Sequence, residues 1–493
     1  MLIAVPIGAG LASVACDPAS DAVSTDDDCD DSRDDVNPGA AEVCDAADTD
    51  EDCDGVADPD CGLAGEIAPS DADVTMEGVS SYQQLGFSLV SGLDFTGDGL
   101  DDLVVGAPRE GDGAVHVLRG DTLPPGTSAV TGLPWFTATG SASLSYAGYE
   151  VTWLGDVDQD GYDDVATQYY TTMYTVGVLD GPQTEGGSGA LSTVGVGDYA
   201  CQNASRAGTS DSTTGEDEWL CGEYHPPSDW DMIVYSGWST EVGRIGGDRV
   251  VFNGYEVHGG EDVDGDGLDD YVAGLTAYSG AGYSSGGAAV VYLAPLSSGT
   301  TTYTDWDMVT YGENASDLHG SQARLIADVT GDGLADLYVG TPYDDAAGTS
   351  AGRVTLFGSP LATSQNMSDG EVQILGAQAS DILGLNFYCV SWGDVDGDAQ
   401  SDVLVGTTNT SIYASKDGAA WLILGSLSGT YALSDGDYDA RFVGDDDSTA
   451  LSFGCAMDGD LNDDGKDDVV LGAPGHDAGT VGTAGAVYVW YGE

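Results

Sequence analysis

Acidic side chains recur in this chain at a spacing that suits one kind of chemistry, the binding of a hard divalent cation. In the stretch Asp262-Val263-Asp264-Gly265-Asp266-Gly267-Leu268-Asp269-Asp270, carboxylates stand at positions 1, 3, 5 and 9. Gly267 at position 6 permits the tight turn that folds them inward. The carbonyl of Leu268 at position 7 would add a backbone ligand. Calcium, which takes about six to eight oxygens in a flexible geometry, fits this set better than magnesium.

Five variants of the stretch follow the same order. One begins at Asp94, with Thr96, Asp98, Leu100 and Asp102 at the later ligand positions, and one at Asp156, with Asp158, Asp160, Tyr162 and Asp164. The third begins at Asp328 (Thr330, Asp332, Leu334, Asp336), the fourth at Asp394 (Asp396, Asp398, Gln400, Asp402) and the fifth at Asp460 (Asn462, Asp464, Lys466, Asp468). With Asp262, Asp264, Asp266, Leu268 and Asp270 they predict about six Ca2+ sites. A single acidic Gly turn is also an ordinary solvated hairpin loop, but six copies in one chain point to metal. The loops at Asp156 and Asp262 keep every carboxylate, whereas Thr96 and Thr330 replace one and Ala399 stands where the turn wants Gly.

No catalytic constellation accompanies these loops, and the chain is expected not to be an enzyme. Gly282-Tyr283-Ser284-Ser285-Gly286 satisfies a GxSxG pattern but lies in a Gly/Ser-rich loop without the strand-to-helix setting of a nucleophile elbow. His116, His225, His258, His319 and His476 show no metal-binding or general-base spacing. A polysaccharide-active or phosphoester-cleaving reading would require a buried carboxylate pair that spacing alone does not reveal.

The charge balance excludes a further class. Eighty-five acidic residues against 11 basic ones give a formal charge of −74, of which six divalent ions would offset only about 12. A surface of that sign repels phosphate backbones, so nucleic acid is not a partner. It favours solubility and the uptake of cations.

The elements that position the loops are short strands. Each loop runs into an apolar segment ending in Gly, as in LVVGAP at Leu103, LYVGTP at Leu337, VLVGTT at Val403 and VVLGAP at Val469. Gly and an aromatic precede it, at Gly86-Phe87, Gly148-Tyr149 and Gly254-Tyr255, with Phe387 and Phe453 at the same offset. A further strand follows, as in GAVHVLRG (Gly113 to Gly120) and GAVYVWYG (Gly485 to Gly492). From residue 66 onward this pattern resembles the FG-GAP repeat of integrin α-subunit heads and many bacterial surface proteins. That resemblance implies an all-β fold, a β-propeller with one four-stranded blade per repeat and calcium in the hairpin between its first two strands. The strands agree with it, because short β runs at a blade-sized period bury their faces only by stacking on neighbours.

Loop starts are 62, 106, 66, 66 and 66 residues apart, so the second interval holds a hidden blade. Thr213 to Gly222 reads as its decayed loop and second strand, Asp231 to Gly237 as the third and Glu241 to Gly246 as the fourth. Seven blades result. The last repeat stops after its third strand, and Asp73 to Gly78 resembles the fourth-strand segment Glu371 to Gly376, so the N-terminal strand is expected to close the ring.

Residues 17–65 form a small acidic, Cys-rich module with no apolar pattern: 18 acidic residues and the single base Arg33 lie between Asp17 and Cys61. Disulfides or metal must hold such a segment. Its DCDD start (Asp28 to Asp31), NPGA-E-C centre (Asn37 to Cys44) and DCDG close (Asp52 to Gly55) resemble the MopE-type metal-binding repeat, which implies another divalent metal here. The alternative is a stapled acidic stalk. Residues 1–16 look like an export signal, with Ser13 to Cys16 resembling a bacterial lipobox that would lipidate Cys16 and anchor the chain to a membrane; an ordinary cleaved signal is the alternative.

Setting Cys16 apart leaves an even number of cysteines for disulfides, Cys29, Cys44, Cys53, Cys61, Cys201, Cys221, Cys389 and Cys455. Cys201 and Cys221 flank the decayed loop. Cys389 and Cys455 occupy equivalent places on neighbouring blades, where they either bridge or pack as small buried residues.

The whole reads as an exported monomeric propeller, on a bacterial cell surface, in the outer membrane or periplasm as a lipoprotein, or secreted. It would bind an extracellular protein or glycan through Tyr- and Gly-rich loops such as Tyr169 to Tyr174 and Tyr278 to Tyr283. A structural envelope component is the third reading.

Overall fold

A computed structural model describes residues 63–492 apart from 141–145, 171–173, 184, 194–200, 209–216, 226–228, 237–239, 247–256, 280–282, 297–299, 386–388, 411–416 and 445–448. The chain divides into two compact units, residues 1–65 and 66–493. Seven sheets, each of four antiparallel strands at its core, make up the second, in the arrangement of a seven-bladed propeller.

Blade 5 illustrates how the sequence builds each sheet. Its inner strand Gln322–Ile326 pairs with Asp336–Thr341, that strand with Arg353–Phe357, and that in turn with the outer strand Val372–Leu375. The second strand is buried at every residue, because both its faces meet neighbouring blades, whereas the outer strand alternates between buried and half-buried residues. Cores therefore form between blades. Tyr338, Val354 and Leu356 of blade 5 pack in one cluster with Val403, Val405 and Trp421 of blade 6.

The glycines that punctuate the repeat have a steric role at these junctions. A Cβ on Gly106, in the second strand of blade 1, would lie 2.2 Å from the carbonyl oxygen of Gly148, which precedes the inner strand of blade 2. Gly472 and Gly86 repeat the approach between blades 7 and 1 at 1.9 Å. Backbones that meet this closely leave no room for a side chain.

The hidden blade is present, with strands Cys201–Gly208, Glu218–His225, Asp229–Ser236 and Thr240–Gly246. Ring closure follows the expected route: Val74–Glu77 pairs antiparallel with Ala486–Trp490, aligning Val74 with Val489 and Met76 with Val487. Six blades carry a fifth strand that the four-strand expectation lacked. In blade 7 it is Gly126–Ala129, parallel to Val74–Glu77 and taken from the connection between the third and outer strands of blade 1. Gly65–Ile67 plays the same part on blade 6. Blade 2 has four strands, and the connection that would supply its fifth spans only residues 237–239.

Cys389 and Cys455 form a disulfide that joins the inner edges of blades 6 and 7, their Cα atoms 5.3 Å apart. Cys221 is also disulfide-bonded. Cys201 opens the strand beside it, although its side chain lies outside the described residues. Cys16, Cys29, Cys44, Cys53 and Cys61 fall outside them as well, as do Gly254-Tyr255 and Phe387.

Candidate metal centres

Each nine-residue loop joins an inner strand to a second strand, so all six lie at the same end of the ring. The backbone holds the first carboxylate in place. In the loop at Asp262, Oδ1 accepts the Gly265 N–H at 2.7 Å and Oδ2 the Gly267 N–H at 2.8 Å. Gly267 has φ +88°, the left-handed region that a position-6 glycine enters without strain. Asp266 Oδ1 accepts the Leu268 N–H at 2.9 Å. The position-9 carboxylate ties the loop to its strands, for Asp270 Oδ2 accepts from Val263 N at 3.1 Å and Oδ1 from Ala294 N at 2.9 Å. At Asp394 the same turn is made with Ala399 at φ +68°.

Four loops bring three carboxylates together, each offering an oxygen within 4.8 Å of the others: Asp156, Asp158 and Asp164; Asp262, Asp264 and Asp270; Asp328, Asp332 and Asp336; Asp394, Asp396 and Asp402. A convergent trio of hard oxygens suits a divalent cation. The other two of the six expected loops form no such trio among the described residues. In the loop at Asp94, Arg119 Nη2 reaches Asp98 Oδ2 at 2.5 Å and supplies positive charge itself. In the loop at Asp460, position 3 is Asn462, whose Nδ2 donates to Asp464 Oδ2 at 2.7 Å.

Electrostatics point the same way. Burial pushes the position-9 carboxyls up, Asp102, Asp270, Asp336, Asp402 and Asp468 to about 7 and Asp164 to about 8. A bound cation would supply the missing charge. Asp180, which local spacing did not single out, stands beside the loop at Asp156. Burial and the adjacent Asp158 carboxylate push it up to about 6.

Position 8 has a role that was also not legible in one repeat. Asp163 of blade 2 accepts the Asp94 N–H of blade 1 at 2.8 Å, and Asp217 of blade 3 accepts that of Asp156 at 3.2 Å. Asp467 of blade 7 accepts that of Asp394 at 2.7 Å, and Asp101 of blade 1 accepts that of Asp460 at 2.9 Å. Four loops are thus fastened to the following blade. Blades 5 and 6, with Ala335 and Ser401 at this position, lack the carboxylate. The decayed loop keeps Asp217 and places the fully buried Glu218 at position 9.

Seven stacked blades, acidic hairpins at one end and Gly-on-Gly junctions now stand beside the sequence matches. Residues 85–118, 323–357 and 459–490 match the family model for the FG-GAP repeat. Blades 1, 5 and 7 each carry a segment that matches this repeat. Residues 28–59 match the metal-binding motif of the Cu-binding MopE type.

Among curated relatives, integrin alpha pat-2 of Caenorhabditis briggsae is 27% identical over 228 residues, 43% of this chain and 17% of its own length. Integrin alpha-PS2 of Drosophila melanogaster is 32% identical over 185 residues, 35% and 13% of the two chains. Integrin alpha-5 of Xenopus laevis is 37% identical over 101 residues, 18% and 9%. The chain therefore spans less than a fifth of the length of these relatives. Among solved structures, BBS1N in complex with ARL6DN aligns at a TM-score of 0.41 and 9% identity, over 88% of this chain and 97% of that one, a likeness too slight to carry a functional argument.

Proposed function

We propose that the chain is an exported, calcium-stabilised propeller that binds an extracellular protein or glycan through the end of the ring opposite the metal loops. The observation that carries this reading is the placement of exposed tyrosines. Tyr82, Tyr146, Tyr149, Tyr283 and Tyr343, the exposed aromatic side chains among the described residues, are 38–65% exposed. All five stand either on connections from one blade to the next or between second and third strands. Because neighbouring strands run antiparallel, those connections share the end away from the acidic hairpins. Tyrosine offers a rigid apolar face and a hydroxyl to a partner at little entropic cost. Tyr278, in one of the expected binding stretches, instead packs against Trp306 and Tyr311, each 5.9 Å away.

In this reading the cations are structural and the chain is a binding module, not an enzyme. Its matches to integrin alpha chains support adhesion as the role. Residues 1–16 direct export, with Cys16 as the lipid anchor, and residues 17–65 are a metal-binding module or stalk ahead of the propeller at 66–493. Carboxylates do line the propeller axis, at Glu150, Glu261 and Asp458, but Arg206 and Arg324 are interleaved with them, which favours ligand binding over acid–base work.

The test is binding to glycan and extracellular-protein arrays in calcium, comparing the native chain with a Tyr82→Ser, Tyr146→Ser, Tyr343→Ser triple variant. Array ligands retained by the native chain and lost by the variant, with unchanged melting, are the expected result. Binding indifferent to the three tyrosines, or no ligand on either array, would overturn the reading.

A further inference from the structure

At the centre of the ring the inner strands enclose a cavity of about 400 Å³, lined from all seven blades. That volume lies within the span of small-molecule sites, about 300–1,000 Å³. Its lining departs from the rest of the molecule, since two arginines of a chain with only 11 basic residues face it. Arg206, His258 and Arg324 occupy corresponding inner-strand places on three successive blades, 3, 4 and 5. His258 and Arg324 stand four residues ahead of their loops, and Arg206 does so when its loop is counted back from Glu218. One arc of the wall therefore carries two guanidinium groups, with Glu261 of blade 4 between them.

The three groups act on one another. Burial, reinforced by the charges of Arg324 and Arg206, pushes His258 well below its ordinary value and keeps the ring neutral. Arg206 is held from two sides, 4.5 Å above the Trp153 ring and with Nη2 3.5 Å from Asp217 Oδ1. Trp392 presents its ring edge-on to His258, centroids 6.1 Å apart.

Residues that line this space carry buried polar atoms without partners. Nε of Arg206, Nδ1 of His258 and Nε1 of Trp153 have no hydrogen-bond partner among the described residues. Leaving such groups unsatisfied is costly, and a ligand that satisfies them recovers that cost. The guanidinium groups disfavour a cation. The two indoles and the acceptors Glu150 and Glu261 suit a ring with apolar CH faces and several hydroxyls.

We propose that this axial cavity binds one acidic sugar unit, a uronate, its carboxylate held by Arg206 and Arg324, its ring against Trp153 and its hydroxyls donating to Glu150 and Glu261. The site is separate from the tyrosine-bearing end and does not depend on what that end binds.

Isothermal titration of the full chain in calcium buffer with sodium galacturonate, sodium glucuronate, glucose and acetate tests the assignment. A uronate should bind in preference to glucose and to acetate, and Arg324→Gln and His258→Leu should each weaken it about tenfold or more, with melting unchanged. Arg206→Met should abolish binding; because Arg206 also pairs with Asp217, a melt of that variant accompanies its titration, and the Arg324 and His258 variants decide the matter if it unfolds. Acetate or glucose binding as tightly as the uronates would overturn the ligand class. Uronate binding that survives the Arg324 and His258 substitutions, or no uronate binding at all, would overturn the site.

Discussion

The position-9 aspartates couple the fold to both metal and pH. Without a cation their folded-state pKa values, about 7 to 8, lie above the ordinary 3.8, so the folded chain holds protons that the unfolded chain releases. The stability this provides is present at low pH and is lost as pH rises towards 8. His319, fully buried between Thr310 and Thr341 and pushed down to about 3, acts in the opposite sense below its ordinary 6.5. Above about pH 6.5 the aspartates act alone among these groups. In chelator the melting temperature should therefore fall between about pH 6.5 and 8, and calcium should raise it most at the upper end. Thermal melts across that range check this, and a flat chelator profile would contradict it. Ala399→Gly should relieve the strain at φ +68° and stabilise the calcium-loaded chain by about 0.5–1 kcal/mol, read from denaturant unfolding. At limiting calcium the Asp156 and Asp262 sites should fill first, since they keep every carboxylate together with the position-6 glycine; anomalous occupancies in crystals would rank them.

Hairpins in this molecule are fastened to one another as well as folded. Asp467 holds the start of the blade 6 loop and Asp101 that of blade 7, each through a backbone N–H. Asp467→Ala should cost about 1–2 kcal/mol, because it removes a charge-assisted bond and leaves the Asp394 N–H without its acceptor. Ser401→Ala, at the equivalent place in blade 6, should change stability by less than about 0.5 kcal/mol. Denaturant melts of the two variants distinguish a role for position 8 from a general effect of substitution there. The Cys389–Cys455 disulfide closes a separation of 66 residues between neighbouring blades. Its loss in Cys389→Ser should cost about 2–4 kcal/mol, and non-reducing peptide mapping should recover the linked pair.

The ring stands or falls by its closure. Val74 and Met76 are fully buried and complete blade 7 from the other end of the chain, while Gly65–Ile67 covers the edge of blade 6. Removing residues 17–62 spares both segments, and that truncation should melt like the full chain. A deletion extended through Gly78 removes both, exposing the edge of Ala486–Trp490 with Val487 and Val489, and should melt lower and self-associate. Light scattering and thermal melts compare the two. Equal stability and a monomer in both would mean that the ring closes otherwise.

Much of this was legible in the sequence because it is written in local patterns. The acidic loops, the Gly-punctuated strands, the hidden blade and the closing segment at Asp73 to Gly78 each sit within a short window whose spacing reflects one turn or one strand. What was not legible joins residues far apart along the chain. Spacing suggested about six sites of graded quality, but Arg119 answers Asp98 in one loop and Asn462 cannot serve as a carboxylate in another, so four trios converge among the described residues. Asp101 meets Asp460 across 359 residues, and the fifth strand of each enlarged sheet comes from a neighbouring blade. The arc of Arg206, His258 and Arg324 exists only because three inner strands, each unremarkable alone, are turned toward one axis. Repeats specify their own fold through contacts between near neighbours in sequence, whereas the centre of a ring belongs to no single repeat and takes its chemistry from how all seven are brought together.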